Sequence, residues 1–299
     1  MSVKNFDQLL KLAQTRGPKT VAVAAAAQKA VLLAVNDAEE LGIADLLLIG
    51  DQAEIERIAH ENNVDLNRLD IVHEPDPIQA ARQTMTFINQ GRAQIAMKGA
   101  IQTSDFLRAA LDRKNGLRMG RLISHVAVFD IPAVDRLMLV SDAGVVVAPG
   151  LKEKADIVRN AIDMAHRLGV VQPKVALLAA TEMVNPKIPA TVDAAALSKM
   201  ADRNQIVGGV VDGPLTLDNA ISETATTIKG IASPVAGQAD ILIAPDIEAG
   251  NILAKGISYF AKAYMAGVIV GARAPIILPS RSDTHQAKLI ALALCVAIA

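Results

Sequence analysis

The stretch APIILPSRSDTHQAKLIALALCVAIA, residues 274–299, decides how the chain is read. An apolar run at 276–278 breaks at Pro279 into Ser280, Arg281, Ser282, Asp283, Thr284 and His285, and nearly every later residue is apolar. This is the pattern of a strand, a polar turn and the start of a buried helix. At such a junction the first backbone N–H groups of the helix lack intrahelical partners, and they lie beside hydroxyls, a guanidinium and a carboxylate. The helix dipole favours an anion there, so the corner suits a phosphate. Ser280 and Asp283 also fit the S-x-x-D spacing of a capping box, which satisfies orphan N–H groups without a ligand. Capping does not explain Arg281, because a cation at a helix start calls for a negative partner.

Working outward, the same strand-then-helix unit recurs. Apolar runs at 20–26, 44–49, 70–73 and 94–97 alternate with helical patterns through 41, around Ile55 and Ala59, and over 77–90. Each strand is a continuous apolar run, the mark of a parallel sheet covered on both faces. The runs 124–129 and 137–140 are too close for a helical crossover, so they form an antiparallel pair. Alternation then resumes with helix 153–168, strand 174–180, helix 191–202 and strand 206–211. It continues through strand 241–244, helix 251–265 and strands 268–270 and 276–278. Two α/β lobes are expected, 1–131 and 132–280, hinged near Pro132, with helix 281–299 returning to the first lobe.

Composition narrows the class. The 299 residues are 52% hydrophobic and 20% charged with net charge −1, as in a globular protein without a broad nucleic-acid footprint. Five Phe, two Tyr and no Trp leave little for base stacking. The first residues lack a charged-then-apolar leader pattern, the apolar tail is short for a bilayer, and the one cysteine, Cys295, excludes a disulfide framework. A cytoplasmic protein without membrane partners is expected. There is no G-x-x-x-x-G-K-[ST], no H-E-x-x-H and no C-x-x-C, and the five histidines are scattered, so no metal site is expected.

Ligands of open α/β sheets bind at the carboxyl ends of strands. Lys98-Gly99 ends one such strand, and Thr103 then reads as an N-cap with Arg108 one turn in; the alternative is a capped surface helix. Arg113, Lys114, Arg118 and Arg121 crowd a glycine-containing loop, either solvated or holding a polyanionic tail. Asp212-Gly213-Pro214-Leu215 reads as a turn. Gly250-Asn251, at an expected helix start, would present N–H donors beside an amide.

The motifs GAIQTSDFLRAAL (99–111), VSDAGVVVAPG (140–150), VVDGPLTLDNAIS (210–222), SPVAGQADILIAPDIEAGNILAKG (233–256) and PSRSD (279–283) occur in one order. Together they resemble the phosphate acetyl/butyryltransferase family, with the butyryl-transferring branch nearest. The resemblance covers nearly everything from Lys98 onward. It implies a two-lobed fold like isocitrate and isopropylmalate dehydrogenases, an active site in the interlobe cleft, and a homodimer or higher homo-oligomer. The implied reaction is acyl-CoA plus inorganic phosphate giving acyl phosphate plus coenzyme A, by direct thiolate attack in a ternary complex, with no permanently bound cofactor. By the family motif, Ser280 would stabilise the carbonyl oxyanion, Arg281 would hold phosphate, and Arg108 would be a second clamp. Thr103, Lys98, Asn251, Arg118 and Arg121 are the further substrate-binding candidates. The acetyl-transferring branch has an aspartate where this chain has Ala287, so Asp283 is the expected base, with His285 as alternative. A metal- and NAD-dependent dehydrogenase of the same architecture and a non-catalytic coenzyme A sensor are the competing readings.

Overall fold

The structure, a computed structural model, describes residues 2–280 and 283–299. In chain order its elements are α1 (Phe6–Arg16), β1 (Lys19–Ala24), α2 (Lys29–Glu40), β2 (Ala44–Gly50), α3 (Gln52–Glu61), β3 (Asp70–His73), α4 (Pro77–Asn89), β4 (Ile95–Lys98), α5 (Thr103–Ala110), β5 (Ser124–Asp130) and β6 (Met138–Ser141). They continue with α6 (Leu151–Arg167), β7 (Lys174–Leu178), α7 (Pro189–Asp202), β8 (Val210–Leu215), α8 (Leu217–Ile221), α9 (Glu223–Lys229), β9 (Ile241–Ile243), α10 (Ile247–Phe260), β10 (Tyr264–Val270), β11 (Ile276–Ile277) and α11 (His285–Ile298). Local chemistry starts several helices. Asp51 and Asp76 each accept two backbone N–H bonds, and Pro77 occupies the first turn of α4, where no donor is needed.

Two compact units result. One comprises Phe6–Arg121 and Ala266–Ala299. Its strands run in the order β3-β2-β1-β4-β11-β10, all parallel except β10 against β11. The strands supply buried Val21, Val23, Leu48, Ile49, Ile95, Met97, Ile276 and Ile277, and α11 packs on α1 and α2. The second unit is Leu122–Met265 with the N-terminal residues up to Asn5, and its strands run β5-β6-β9-β7-β8. There β5 is antiparallel to β6 and the other pairs are parallel. Phe129, Val140, Ala176, Leu242 and Val235 form the centre of its core.

Several expected boundaries move. The division falls at 121/122 rather than 131/132, because β5 pairs with β6 from Phe129↔Met138 to Val126↔Ser141. Residues 266–280 leave the expected second lobe because β11 pairs with β4. The Asp212-Gly213-Pro214-Leu215 turn is the end of β8, where Ile206 takes no part. A proline fits there because β8 is an edge strand and need not donate on both sides. Helix α10 begins at Ile247, not near 251, because Asp246 caps it by accepting the Ala249 N–H at 2.8 Å. It stops at Phe260, and Tyr264 and Met265 open β10.

From Leu292 to Ala297, α11 is completely buried. Leu294→Ala is expected to lower the unfolding free energy by about 3 kcal/mol, the cost of removing a buried leucine and leaving a cavity. Val171→Ala, at a 90% exposed position, should change it by less than about 0.5 kcal/mol in the same urea titration.

Candidate active site

In the Phe6–Arg121 and Ala266–Ala299 unit, register sets the site. Ala24 lies opposite Lys98, and Ile276 and Ile277 lie opposite Ala96 and Met97. The three parallel strands therefore end at one level, and Ala25, Gly99 and Ser280 leave the sheet along the same carboxyl edge. Gly99 is required there. Its N–H donates to the Ala24 carbonyl at 2.8 Å, and an added Cβ would strike the Ala25 carbonyl oxygen and stand 2.7 Å from that of Ala24.

Lys98 is buried, and its ammonium donates to the carbonyls of Gly99 at 3.3 Å and Ile101 at 3.2 Å. Thr103 is the exposed first residue of α5 rather than its cap; Gln102 holds the cap position without a side-chain bond. Arg108 is 76% exposed and pairs with Asp105 one turn earlier at 2.7 Å. Phe106 and Ala110 bury the other face of α5, which packs on α4.

The 280–283 corner is tied by its own backbone. The Asp283 carboxylate accepts the Ser280 N–H at 2.7 Å, and the Asp283 N–H donates to the Ser280 carbonyl at 3.2 Å. Ser280 and Asp283 thus bond each other, and the cap of α11 is Thr284, whose hydroxyl accepts the Ala287 N–H at 3.2 Å. Of the N–H groups expected as free donors for an anion, those of Ser280, Asp283 and Ala287 are taken up by the protein. Ser280 itself is exposed. Arg281 lies outside the described residues. His285 Nε2 lies 4.0 Å from Asp37 of α2.

Beneath the turn sits a group the sequence reading passed over. Lys288 is 1% exposed, and its ammonium donates to the carbonyls of Asp283 at 2.6 Å and Ser280 at 3.3 Å. Burial pulls its pKa below the ordinary lysine value, and the charge of Asp283 opposes that shift. The signal was a lone cation in an otherwise apolar run from Ala287 to Ala299.

The basic loop is built rather than slack. Asp112 accepts the N–H groups of Lys114 and Asn115, bonds that lower its pKa, and buried Leu117 donates to the Ala110 carbonyl at 2.7 Å. Arg118 forms an antiparallel bridge with Ala272; its side chain is exposed, whereas Arg121 is half-buried. Asn251 belongs to the other unit. It is the fifth residue of α10, and its amide donates to the Ala143 carbonyl at 3.1 Å. Nearby in that unit, Asp142 accepts the N–H groups of His125, Gly144 and Val145.

A polar corner at the carboxyl edge of a parallel sheet is the place where an α/β protein of this class takes its ligand. A family model described as phosphate acetyl/butaryl transferase matches residues 5–83 and 76–296, and the chain belongs to that family. It is a phosphate acyltransferase, of the class that moves acyl groups between coenzyme A and phosphate, which sets aside the dehydrogenase and sensor readings. A phosphate butyryltransferase of Clostridium acetobutylicum is 45% identical over 297 residues, covering 99% of each chain. A phosphate acetyltransferase of Rhizobium meliloti is 42% identical over 288 residues, covering 96% of this chain and 91% of its own. Among solved structures, a branched-chain phosphotransacylase from Enterococcus faecalis V583 superposes with TM-score 0.84 at 33% identity, covering 94% of this chain and 98% of its own.

Gly99→Ala should destabilise the protein by about 1–3 kcal/mol in urea titrations, since the methyl group meets backbone that cannot rotate away.

Proposed function

We propose that the enzyme exchanges a short-chain acyl group, butyryl in preference to acetyl, between coenzyme A and inorganic phosphate by direct attack in a ternary complex. The observation that carries this reading is the pair of bonds between Ser280 and Asp283, which hold the Ser280 backbone while the residue stays exposed at the carboxyl edge of the sheet. In the acyl-phosphate direction, the thiol proton passes to a base and the thiolate attacks the acyl carbon. The bond from that carbon to the phosphate oxygen then breaks, releasing inorganic phosphate and acyl-CoA. Charge develops on the carbonyl oxygen, where a prepositioned Ser280 hydroxyl is worth about 3 kcal/mol.

Arg281 is assigned to the phosphate because a guanidinium grips two oxygens in a fork. Arg108 is the second clamp, exchanging its exposed contact with Asp105 for the phosphate. Lys98 and Thr103 border the acyl phosphate, and Arg118 and Arg121 take the phosphate-bearing tail of coenzyme A. Asp283 is the base, through the carboxylate oxygen that Ser280 N–H does not occupy. Asn251, exposed and bonded to the Ala143 carbonyl through its amide nitrogen, stays the remaining substrate-binding candidate.

Butyryl preference rests on the phosphate butyryltransferase relative, which aligns over almost its whole length. One methylene separates substrates by only about 1 to 3 kcal/mol, so overlap with acetyl and branched acyl groups is expected. No permanently bound cofactor is assigned. The single cysteine, a buried free thiol, suits a reducing cytoplasm. We also read the protein as a homodimer. In α10 and the start of β10, Ile252, Tyr259, Phe260 and Tyr264 are exposed, and an apolar aromatic surface of this kind is normally covered.

Purified protein mixed with phosphate should release free thiol faster from butyryl-CoA than from acetyl-CoA at subsaturating concentration, and equal or reversed rates would remove the butyryl assignment. Arg281→Ala should raise the phosphate KM and lower kcat, together costing about 10²-fold or more in kcat/KM; unchanged constants would remove Arg281 from the site. In sedimentation experiments Phe260→Asp should shift a dimer toward monomer, and an unaltered profile would exclude that face.

A further inference from the structure

The 113–121 loop gathers four cations, Arg113, Lys114, Arg118 and Arg121, and like charges drawn together push a loop apart unless its backbone is fixed. Its path is tight at Gly116, where an added Cβ would stand 2.5 Å from the Asp112 carbonyl oxygen and 2.6 Å from that of Ala110. Two segments distant in sequence fasten its middle. The side-chain nitrogen of Asn89, the last residue of α4, donates to the carbonyls of Asn115 at 2.8 Å and Gly116 at 3.4 Å. Arg273, between β10 and β11, donates from its guanidinium to the Asn89 side-chain oxygen at 3.1 Å and from its N–H to the Leu117 carbonyl at 2.9 Å. The bridge of Arg118 with Ala272 extends this pairing by one residue. Side chains alternate along it, so Arg273 shares the side of buried Leu117 and Arg118 takes the other. Asn89 and Arg273 are themselves exposed, and the core does not require them.

We propose that Asn89 and Arg273 are positioning residues for coenzyme A, stapling the 113–121 loop in the form that meets the phosphates of the coenzyme tail. The proposal rests on the assignment of Arg118 and Arg121 to that tail above. A guanidinium grips phosphate oxygens through a directional fork, so its backbone must be held in place. Apparent affinity falls in proportion to the fraction of protein in the binding form. Releasing the staple therefore raises the KM for acyl-CoA. It leaves kcat at saturation and the KM for inorganic phosphate nearly unchanged, because neither depends on the tail.

The test is the thiol-release assay on the full-length chain and on Asn89→Ala, Asn89→Leu, Arg273→Ala and Arg118→Ala, with circular dichroism to establish folding. Wild-type protein that releases no thiol would defeat the acyl-transfer reading itself. With active wild type, both Asn89 variants should raise the butyryl-CoA KM about three- to tenfold, as expected for the loss of one or two hydrogen bonds, while kcat and the phosphate KM stay within about twofold. Arg273→Ala should raise it about twofold or more, less than the Asn89 variants because its N–H still reaches Leu117. S-butyryl-pantetheine, which lacks the phosphates, should show the same kcat/KM with wild type and Asn89→Ala; an equal fall with both thioesters would mean a general distortion and overturn the proposal. Folded Asn89 variants with a wild-type butyryl-CoA KM would also overturn it. If neither Asn89 variant folds, Arg273→Ala decides, and an unchanged KM or a third failure to fold defeats the staple. An unchanged KM in Arg118→Ala would instead remove the loop from the coenzyme tail, and the proposal with it.

Discussion

The parallel pairing of β11 with β4 is the constraint on which the candidate site depends. It sets Ile276 against Ala96 and Ile277 against Met97, joining segments separated in sequence by nearly all of the second unit. Closing so long an excursion costs little more entropy than closing a short one, because the cost grows only logarithmically with length. A two-residue strand contributes little by itself, so its register must be held from elsewhere. Helix α11 holds it: the chain leaving β11 runs within a few residues into a helix buried against α1 and α2, and the Arg16 guanidinium of α1 bonds the Ala297 carbonyl near the end of α11. A slip of one residue would carry Ser280 about 3.3 Å along the edge and reverse the faces of both isoleucines.

The alternation of strands and helices was legible because parallel strands covered on both faces are unbroken apolar runs. Strand β3 lies at 70–73 as read, and β5 and β6 are antiparallel as their short connection required. Failures cluster where a residue's usual meaning is overridden by its place in the sheet. Gly213-Pro214 reads as a turn anywhere except on an edge strand, where β8 puts it. Gly250 and Asn251 looked like a helix start, but Asp246 is the actual cap and α10 is already under way at Gly250. Thr103 and Ser280 have cap chemistry but not cap positions, since a spacing shows which bonds are available and only the fold decides which form.

Lys288 was passed over for a different reason. A charged residue near a helix end normally marks the solvated side, and the apolar run around it was the one local sign to the contrary. Burial is a tertiary property, set here by the neighbours that α11 acquires on packing against α1 and α2. The family resemblance could not supply it either, because its motif ends at Asp283. Motif and fold gave complementary parts of the corner, the one naming Ser280 and Asp283, the other showing what fastens them.

That fastening changes how an anion can be held. The sequence suggested a cradle of backbone N–H groups at the start of α11, but the Ser280 N–H goes to Asp283, the Asp283 N–H to Ser280 and the Ala287 N–H to Thr284. Donors already committed to the protein cannot greet a phosphate without breaking a bond worth about 0.5–1.5 kcal/mol each, more where the acceptor is charged. Those three donors are set aside for the protein, and on the proposed reading side chains join in the grip on phosphate, with guanidinium groups the natural choice for a two-oxygen hold. On the same reading, the two bonds between Ser280 and Asp283 hold the backbone of the proposed oxyanion donor, and a donor already in place does not have to reorganise as charge appears.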